Sequence, residues 1–272
     1  MLKTFGLLFV IALTLTLAAC EEEPEAIDVA VEGNEFAFTA PASVEAGLVT
    51  FNFKNTGQQS HEMAVARLQA GKTPADLQAA MQQGEAAVLP LLTFVGGANS
   101  VHAGGDFSST SVLEPGTHTL WCFLPDPTDG VPHIAKGMIG FINVTGEADD
   151  DPLPAADQTI VMKDFTFEIP ALKAGESTVR LTNQGPQLHV LTLMKLAEGK
   201  TAQDVGAFFA GQAPPGPPPF TDVGGSNLSV GEEANMHLNL ESGNYLAVCP
   251  IPDATSGVPH MELGMIKEFT VD

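Results

Sequence analysis

Short runs in which apolar residues alternate with polar or small ones recur along most of this chain, the period-two signature of half-buried strands. Ile27-Asp-Val-Ala-Val31, Phe36-Ala-Phe38 and Val49-Thr-Phe-Asn-Phe53 come first, and Asn55-Thr-Gly57 follows as a turn signal. Another strand is expected over 62–68, headed by His61. Thr73-Pro74 reads as an N-cap followed by proline at the first helical position, so a short helix is expected over 75–83, ending at Gly84. The segment 86–105 carries few regular signals, and strand patterning resumes over 107–113, 118–122 and 138–144.

The whole order then repeats. Strands are expected over 158–162, 178–181, 236–240, 245–249 and 266–271, and Asn183-Gln-Gly185 precedes His189 as Asn55-Thr-Gly57 precedes His61. Gly71-Lys-Thr73 and Asp76 return as Gly199-Lys-Thr201 and Asp204, each displaced by 128 residues. The proline-rich stretch 214–220 reads as loop rather than strand. Many short strands with turn signals, in two copies, predict an all-β chain of two tandem sandwiches or barrels, each with a short helix in an inserted segment. Residues 146–156, acidic and rich in proline, form the expected linker between a first domain over 26–145 and a second over 157–272.

The first residues follow a different pattern. Lys3 precedes an apolar run that stops at Leu17-Ala-Ala-Cys20, the layout of a secretory signal over 1–19. Leu-Ala-Ala-Cys resembles a bacterial lipobox, which implies cleavage before Cys20 and acylation of its sulfur. The acidic residues of 20–25 then form a solvated tether, and the protein is expected to be exported and held on a membrane through Cys20. The net charge of −22 argues against nucleic acid and against anionic headgroups, and it would steer a basic protein partner.

The chemistry concentrates in one repeated stretch. Residues 121–138, WCFLPDPTDGVPHIAKGM, return as 248–265, VCPIPDATSGVPHMELGM, with ten of eighteen positions identical. Cys122, His133 and Met138 thereby recur as Cys249, His260 and Met265, and an upstream histidine completes each set, His61 and His189. Two imidazoles, one thiolate and one thioether are the ligands of a blue-copper site, trigonal His₂Cys with a weak axial Met. Two copper sites of this type-1 class are therefore expected. The cysteines could instead form one disulfide, which would account for them but not for the His and Met residues that travel with them.

Each half resembles the cupredoxins, the plastocyanin and azurin class. The resemblance rests on the Asn-x-Gly before the first histidine, on Gly116-x-His118-x₃-Cys122 and Gly243-x-Tyr245-x₃-Cys249, and on Pro-His-x₄-Met in both copies. It implies a Greek-key β-sandwich, bound copper and outer-sphere electron transfer with a redox protein partner. The ten residues between each cysteine and the following histidine are more than small carriers use, and resemble the loop of copper nitrite reductases. Those enzymes and the multicopper oxidases add His-x-His ligands and a histidine beside the cysteine. Here the neighbours are Trp121, Phe123, Val248 and Pro250, and no His-x-His occurs. An electron carrier is the expected function, with copper storage or delivery the alternative and a copper enzyme less favoured. His118 and Tyr245 are expected to pack, Met63 and Met261 to fill core, and His102 and His237 to lie on the surface.

Overall fold

A computed structural model of the chain describes residues 25–148 and 151–272. The expected signal over 1–19, Cys20 and most of the acidic tether lie outside the described residues.

The first half runs β1 (Ile27–Asn34), β2 (Ala37–Thr39), β3 (Ser43–Glu45), β4 (Gly47–Asn55), β5 (His61–Leu68), α1 (Pro74–Met81), α2 (Glu85–Val88), β6 (Leu92–Val101), β7 (Asp106–Leu113), β8 (Gly116–Trp121) and β9 (Ile139–Thr145). The second runs β10 (Gln158–Lys163), β11 (Thr166–Glu168), β12 (Gly175–Asn183), β13 (His189–Leu196), α3 (Ala202–Phe209), β14 (Phe220–Leu228), β15 (Glu233–Leu240), β16 (Gly243–Val248) and β17 (Ile266–Val271). In each half one sheet faces another across an apolar core. One sheet of the first half is ordered β2-β1-β4-β7 and the other β6-β5-β8-β9-β3, and the second half repeats both, with no counterpart of β3 among the described residues.

The two sandwiches are not beads on a linker. β7 pairs antiparallel with β15, and β6 with β14, so each sheet runs on from one half into the other. Each of these strands meets its own repeat counterpart, and antiparallel pairing of equivalent strands places a local twofold axis at the seam. Ser109 sits opposite Met236 there, with Ser108 opposite His237 and Thr110 opposite Asn235 on either side. One apolar cluster accordingly spans both halves, from Val29 and Phe53 through Phe107 to Leu238 and Val271. The 146–156 segment is also tied down where it is described. Leu153 is buried, and the Leu153 and Pro154 carbonyls accept from Arg180 Nη2 at 3.2 and 2.8 Å.

The segment 86–105, expected to be irregular, holds β6, a ten-residue strand that is almost wholly buried. β14 likewise starts at Phe220, at the end of the stretch read as loop. β6 and the 224–228 part of β14 are covered on two faces, which removes the alternation that marks a strand in sequence, and both strands contain a Gly-Gly pair at positive φ. A Cβ on Gly225 would lie 1.8 Å from the Leu191 carbonyl oxygen, and one on Gly97 would lie 2.1 Å from that of Met63. Only glycine permits this approach.

The helices cover the outer face of the longer sheet. Leu77 and Ala80 of α1 pack with Ala64, Ala66, Phe94 and Trp121, which is why β5 is buried on both faces. Val205 of α3 does the same against Met194, Leu246 and Val248. Thr73 and Asp76 form a capping box at α1, as Thr201 and Asp204 do at α3. The helix of the first half occupies 74–81, two residues shorter at its end than the pattern predicts.

Gly225→Ala should lower the free energy of unfolding in urea by more than about 2 kcal/mol, because both the contact and the backbone conformation are forbidden. Gly231→Ala, at φ 80° with open space around it, should cost only about 1 kcal/mol. Equal losses would show that the seam strands do not need their glycines.

Candidate metal centres

The strand order brings all four expected ligand positions of each half to one end of its sandwich. His61 opens β5, Cys122 follows β8, His133 begins a short 3₁₀ turn over His133–Lys136, and Met138 immediately precedes β9. Their counterparts take the same places at β13, β16 and β17. All eight side chains are fully buried.

The long loop after each cysteine is folded rather than slack. In the first, the Ile134 N–H donates to the Cys122 carbonyl at 2.8 Å, His133 to Leu124 at 2.9 Å and Met138 to His133 at 3.0 Å. In the second, Met261 donates to Cys249 at 2.9 Å, His260 to Ile251 at 2.8 Å and Met265 to His260 at 2.9 Å. A two-proline bridge closes each loop, Pro125 with Pro132 and Pro252 with Pro259. The glycine before each methionine turns the chain at φ 108° and 115°. Asp126 is held by Lys136 Nζ at 2.5 Å and by Thr128, which keeps its carboxyl far below the usual range. Asp253 instead bonds Gln187 and Ser256, which lower its pKa to about 2.

Within each cluster the ligand atoms converge. His61 Nδ1 lies 3.1 Å from His133 Nδ1, and Cys122 Sγ lies 3.9 and 3.2 Å from them. In the second half, His189 Nδ1 is 3.1 Å from His260 Nδ1, and Cys249 Sγ is 3.3 Å from the latter. The backbone N–H after the first histidine points at the sulfur, Glu62 at 3.4 Å and Val190 at 3.3 Å. Met138 and Met265 join through backbone: their carbonyls accept from Cys122 and Cys249.

The Asn-x-Gly signal has a structural reason. Asn55 Nδ2 donates to the Gln59 and Val101 carbonyls at 2.9 and 2.8 Å, and its Oδ1 accepts from the Gly57 N–H. Asn183 makes the same three bonds to Gln187, Leu228 and Gly185. The glycine lies against the histidine ring: a Cβ on Gly57 would be 2.7 Å from His61 Nε2, and one on Gly185 would be 2.5 Å from His189 Nε2.

A carboxylate stands behind each first histidine. Asp164 Oδ1 accepts from His189 Nε2 at 2.7 Å, which leaves the Nδ1 lone pair facing the cluster. Glu35 Oε1 lies 3.6 Å from His61 Nε2. The next residue packs on the second histidine, Phe36 on His133 at 5.1 Å between ring centroids and Phe165 on His260 at 4.9 Å. Neither acid was picked out in the sequence, although Glu35-Phe36 and Asp164-Phe165 are a repeated acid-aromatic pair.

Burial lowers the pKa of all four histidines, which keeps the imidazoles neutral and able to donate lone pairs. It raises the Cys249 thiol to about 11 and the Cys122 thiol further still. A bound cation reverses the balance, because a coordinated thiol is deprotonated. In each half the three donor atoms lie within 4.8 Å of one another, so one ion about 2 Å from each can bind all three. The soft sulfur and two neutral nitrogens fit a copper ion.

Both cysteines are free, which removes the disulfide alternative. His118 is buried, and its pKa falls to about 4 through that burial. Met63 and Tyr245 fill core. Trp121 is buried and stacks on Phe123 at 5.2 Å. His102 and His237 are exposed but lie on the seam: His102 Nδ1 is 2.8 Å from the Asp222 carbonyl, and His237 Nε2 is 2.8 Å from Thr110 Oγ1.

No family model and no curated protein matches the chain. Solved structures similar to parts or most of it include reduced auracyanin from Roseiflexus castenholzii, at 24% identity over 46% of this chain and 100% of that one, with a TM-score of 0.31. Auracyanin A, a blue copper protein from Chloroflexus aurantiacus, matches at 18% over 42% and 96%, with a TM-score of 0.28. Copper nitrite reductase from Nitrosomonas europaea matches at 16% over 91% and 94%, with a TM-score of 0.27.

Thiol titration of the metal-free, unreduced chain lacking Cys20 should find two thiols after denaturation and slow reaction of both before it. Thiols that appear only after reduction would contradict the clusters. The duplicated sandwich holds two matched His–Cys–His clusters, each with a buried methionine at the head of the next strand.

Proposed function

We propose that the chain is an electron-transfer protein with two type-1 copper sites, held on a membrane by a lipidated Cys20. The observation that carries this reading is the repeated cluster of one cysteine and two histidines at hydrogen-bonding distances, with the same loop bonds around both. Copper bound there supplies a one-electron couple. The residues around it hold the ligands in place: Asn55 and Asn183 fix the loop before the first histidine, and the proline-bridged loop fixes the second. Rigid ligands limit rearrangement between the two oxidation states.

His-x-His is missing from the sequence, and no histidine adjoins either cysteine, which favours a carrier over a multicopper enzyme. The net charge of −22 supports a redox partner with a basic docking face. An exported location follows from the leader reading. Copper storage or delivery is the second reading, supported by the same ligands.

Purified chain without the leader should take up about two coppers and turn blue when oxidised, with a type-1 EPR signal. Cys122→Ser should remove one site and Cys249→Ser the other, and the double variant should be colourless. Copper kept through repeated reduction and oxidation supports the carrier, and copper released on reduction supports delivery. A colourless, fully reconstituted wild type would overturn both sites.

The exported full-length protein should partition with membranes and carry acyl groups, whereas Cys20→Ser should appear without lipid. A freely soluble wild type with an unmodified N-terminus would sink the anchor.

A further inference from the structure

One difference between the two sites reaches beyond the site itself. Residue 62, after the first histidine of the first half, is glutamate, and its counterpart Val190 is valine. Glu62 is buried, and its Oε1 accepts the N–H of Phe123, the residue after Cys122, at 2.5 Å. In the second half the residue after the cysteine is Pro250, which has no N–H to satisfy. Carboxylate and N–H occur together at one site, and valine and proline occur together at the other.

The second Glu62 oxygen leads away from the site and across the seam. Oε2 accepts from Asn99 Nδ2 at 3.0 Å, and that same nitrogen donates to Asn227 Oδ1 at 3.0 Å. Asn99 Oδ1 accepts from Thr192 Oγ1 at 2.7 Å. Every hydrogen-bonding atom of the Asn99 side chain is thus used, and Asn99, Asn227 and Thr192 are all buried. Asn99 and Asn227 are repeat counterparts, one in β6 and one in β14, and they meet across the seam. A mirror-image network would need acceptors or donors at Val190 and at Ala64, the counterpart of Thr192, and neither side chain has one. The network therefore serves the first site alone. A crevice of about 180 Å³, lined in part by Glu62, Phe123, Val190 and Pro250, opens beside it between the two cysteine loops.

We propose that the second half of the chain positions the first metal site: Thr192 and Asn227, acting through Asn99, hold the Glu62 carboxylate on the Phe123 N–H and so fix the strand end that carries Cys122. Among the described residues the second site has no counterpart of this tie, and Pro250 stands where the N–H would be. Glu62, Asn99 and Thr192 are positioning residues, since none of them supplies a cluster atom. The spectroscopic part of the test rests on the copper reading above, and the thiol part does not.

Thr192→Val keeps the shape of the buried side chain and removes only the hydroxyl. Thr192 lies three residues after His189, so an unspecific disturbance would be felt first at the second site. Two backgrounds isolate the sites, Cys249→Ser leaving the first and Cys122→Ser the second, in chains lacking Cys20. In the metal-free folded protein, Thr192→Val and Glu62→Leu should each speed the modification of Cys122 by about fivefold or more, the worth of one buried hydrogen bond. Modification of Cys249 should stay within about twofold in both. In copper-loaded protein the same variants should shift the absorption band and EPR signal of the first site and leave those of the second unchanged. An unchanged Cys122 rate in Thr192→Val, or an equal change at Cys249, would overturn the proposal, and Glu62→Leu is then not needed. A wild type that takes up no copper would sink the functional reading, while the thiol rates would still decide this one.

Discussion

Everything in this structure depends on the antiparallel pairing of equivalent strands at the seam. A sheet that ends at β6 or β7 would present a row of unpaired N–H and C=O groups to water, the exposed edge that β proteins avoid. Pairing β6 with β14 and β7 with β15 removes four such edges at once. It also merges two small cores into one, which matters because a sandwich of this size buries a smaller share of its surface than a larger body does. The Gly-Gly pairs keep β6 and β14 in the sheet, since Gly97 and Gly225 lie too close to β5 and β13 for any side chain, and Gly96 and Gly224 lie against Ser111 and Phe107.

The metal clusters show what such a frame can hold. Four imidazoles and two thiols are buried, and burial disfavours charge on every one of them. A neutral thiol beside two neutral imidazoles is a poor arrangement in isolation, because only some of the facing atoms can donate to one another. The arrangement is maintained by backbone bonds and by Asn55 and Asn183, not by attraction among the ligands. Such preorganisation leaves both clusters ready to hold a metal ion.

Much of this was legible in the residues. The His–Cys–His triad of each half, its registered repeat and the all-β pattern follow from spacing and alternation, and the capping boxes at Thr73 and Thr201 mark both inserted helices. What escaped has two physical causes. β6 and the second half of β14 are buried on both faces, and their Gly-Gly pairs and buried polar residues break the alternation that reveals strands. Glu35, Asp164 and Glu62 act across the fold on residues far away in sequence, and a lone acid among short strands looks like surface. Glu62 in particular is marked only by a difference between the repeats, whereas the ligands are marked by identity.

The twofold seam has a consequence for how such a chain can change. Two separate identical subunits meeting at the same strands would form an isologous interface, in which every substitution appears twice. A glutamate at position 62 would then face its own copy across the paired asparagines, and both buried carboxylates would compete for the same few amide hydrogens. Covalent tandem linkage lifts that restriction, because each copy mutates alone. A device seated on a symmetry axis can become one-sided only when the two sides are written separately in the gene.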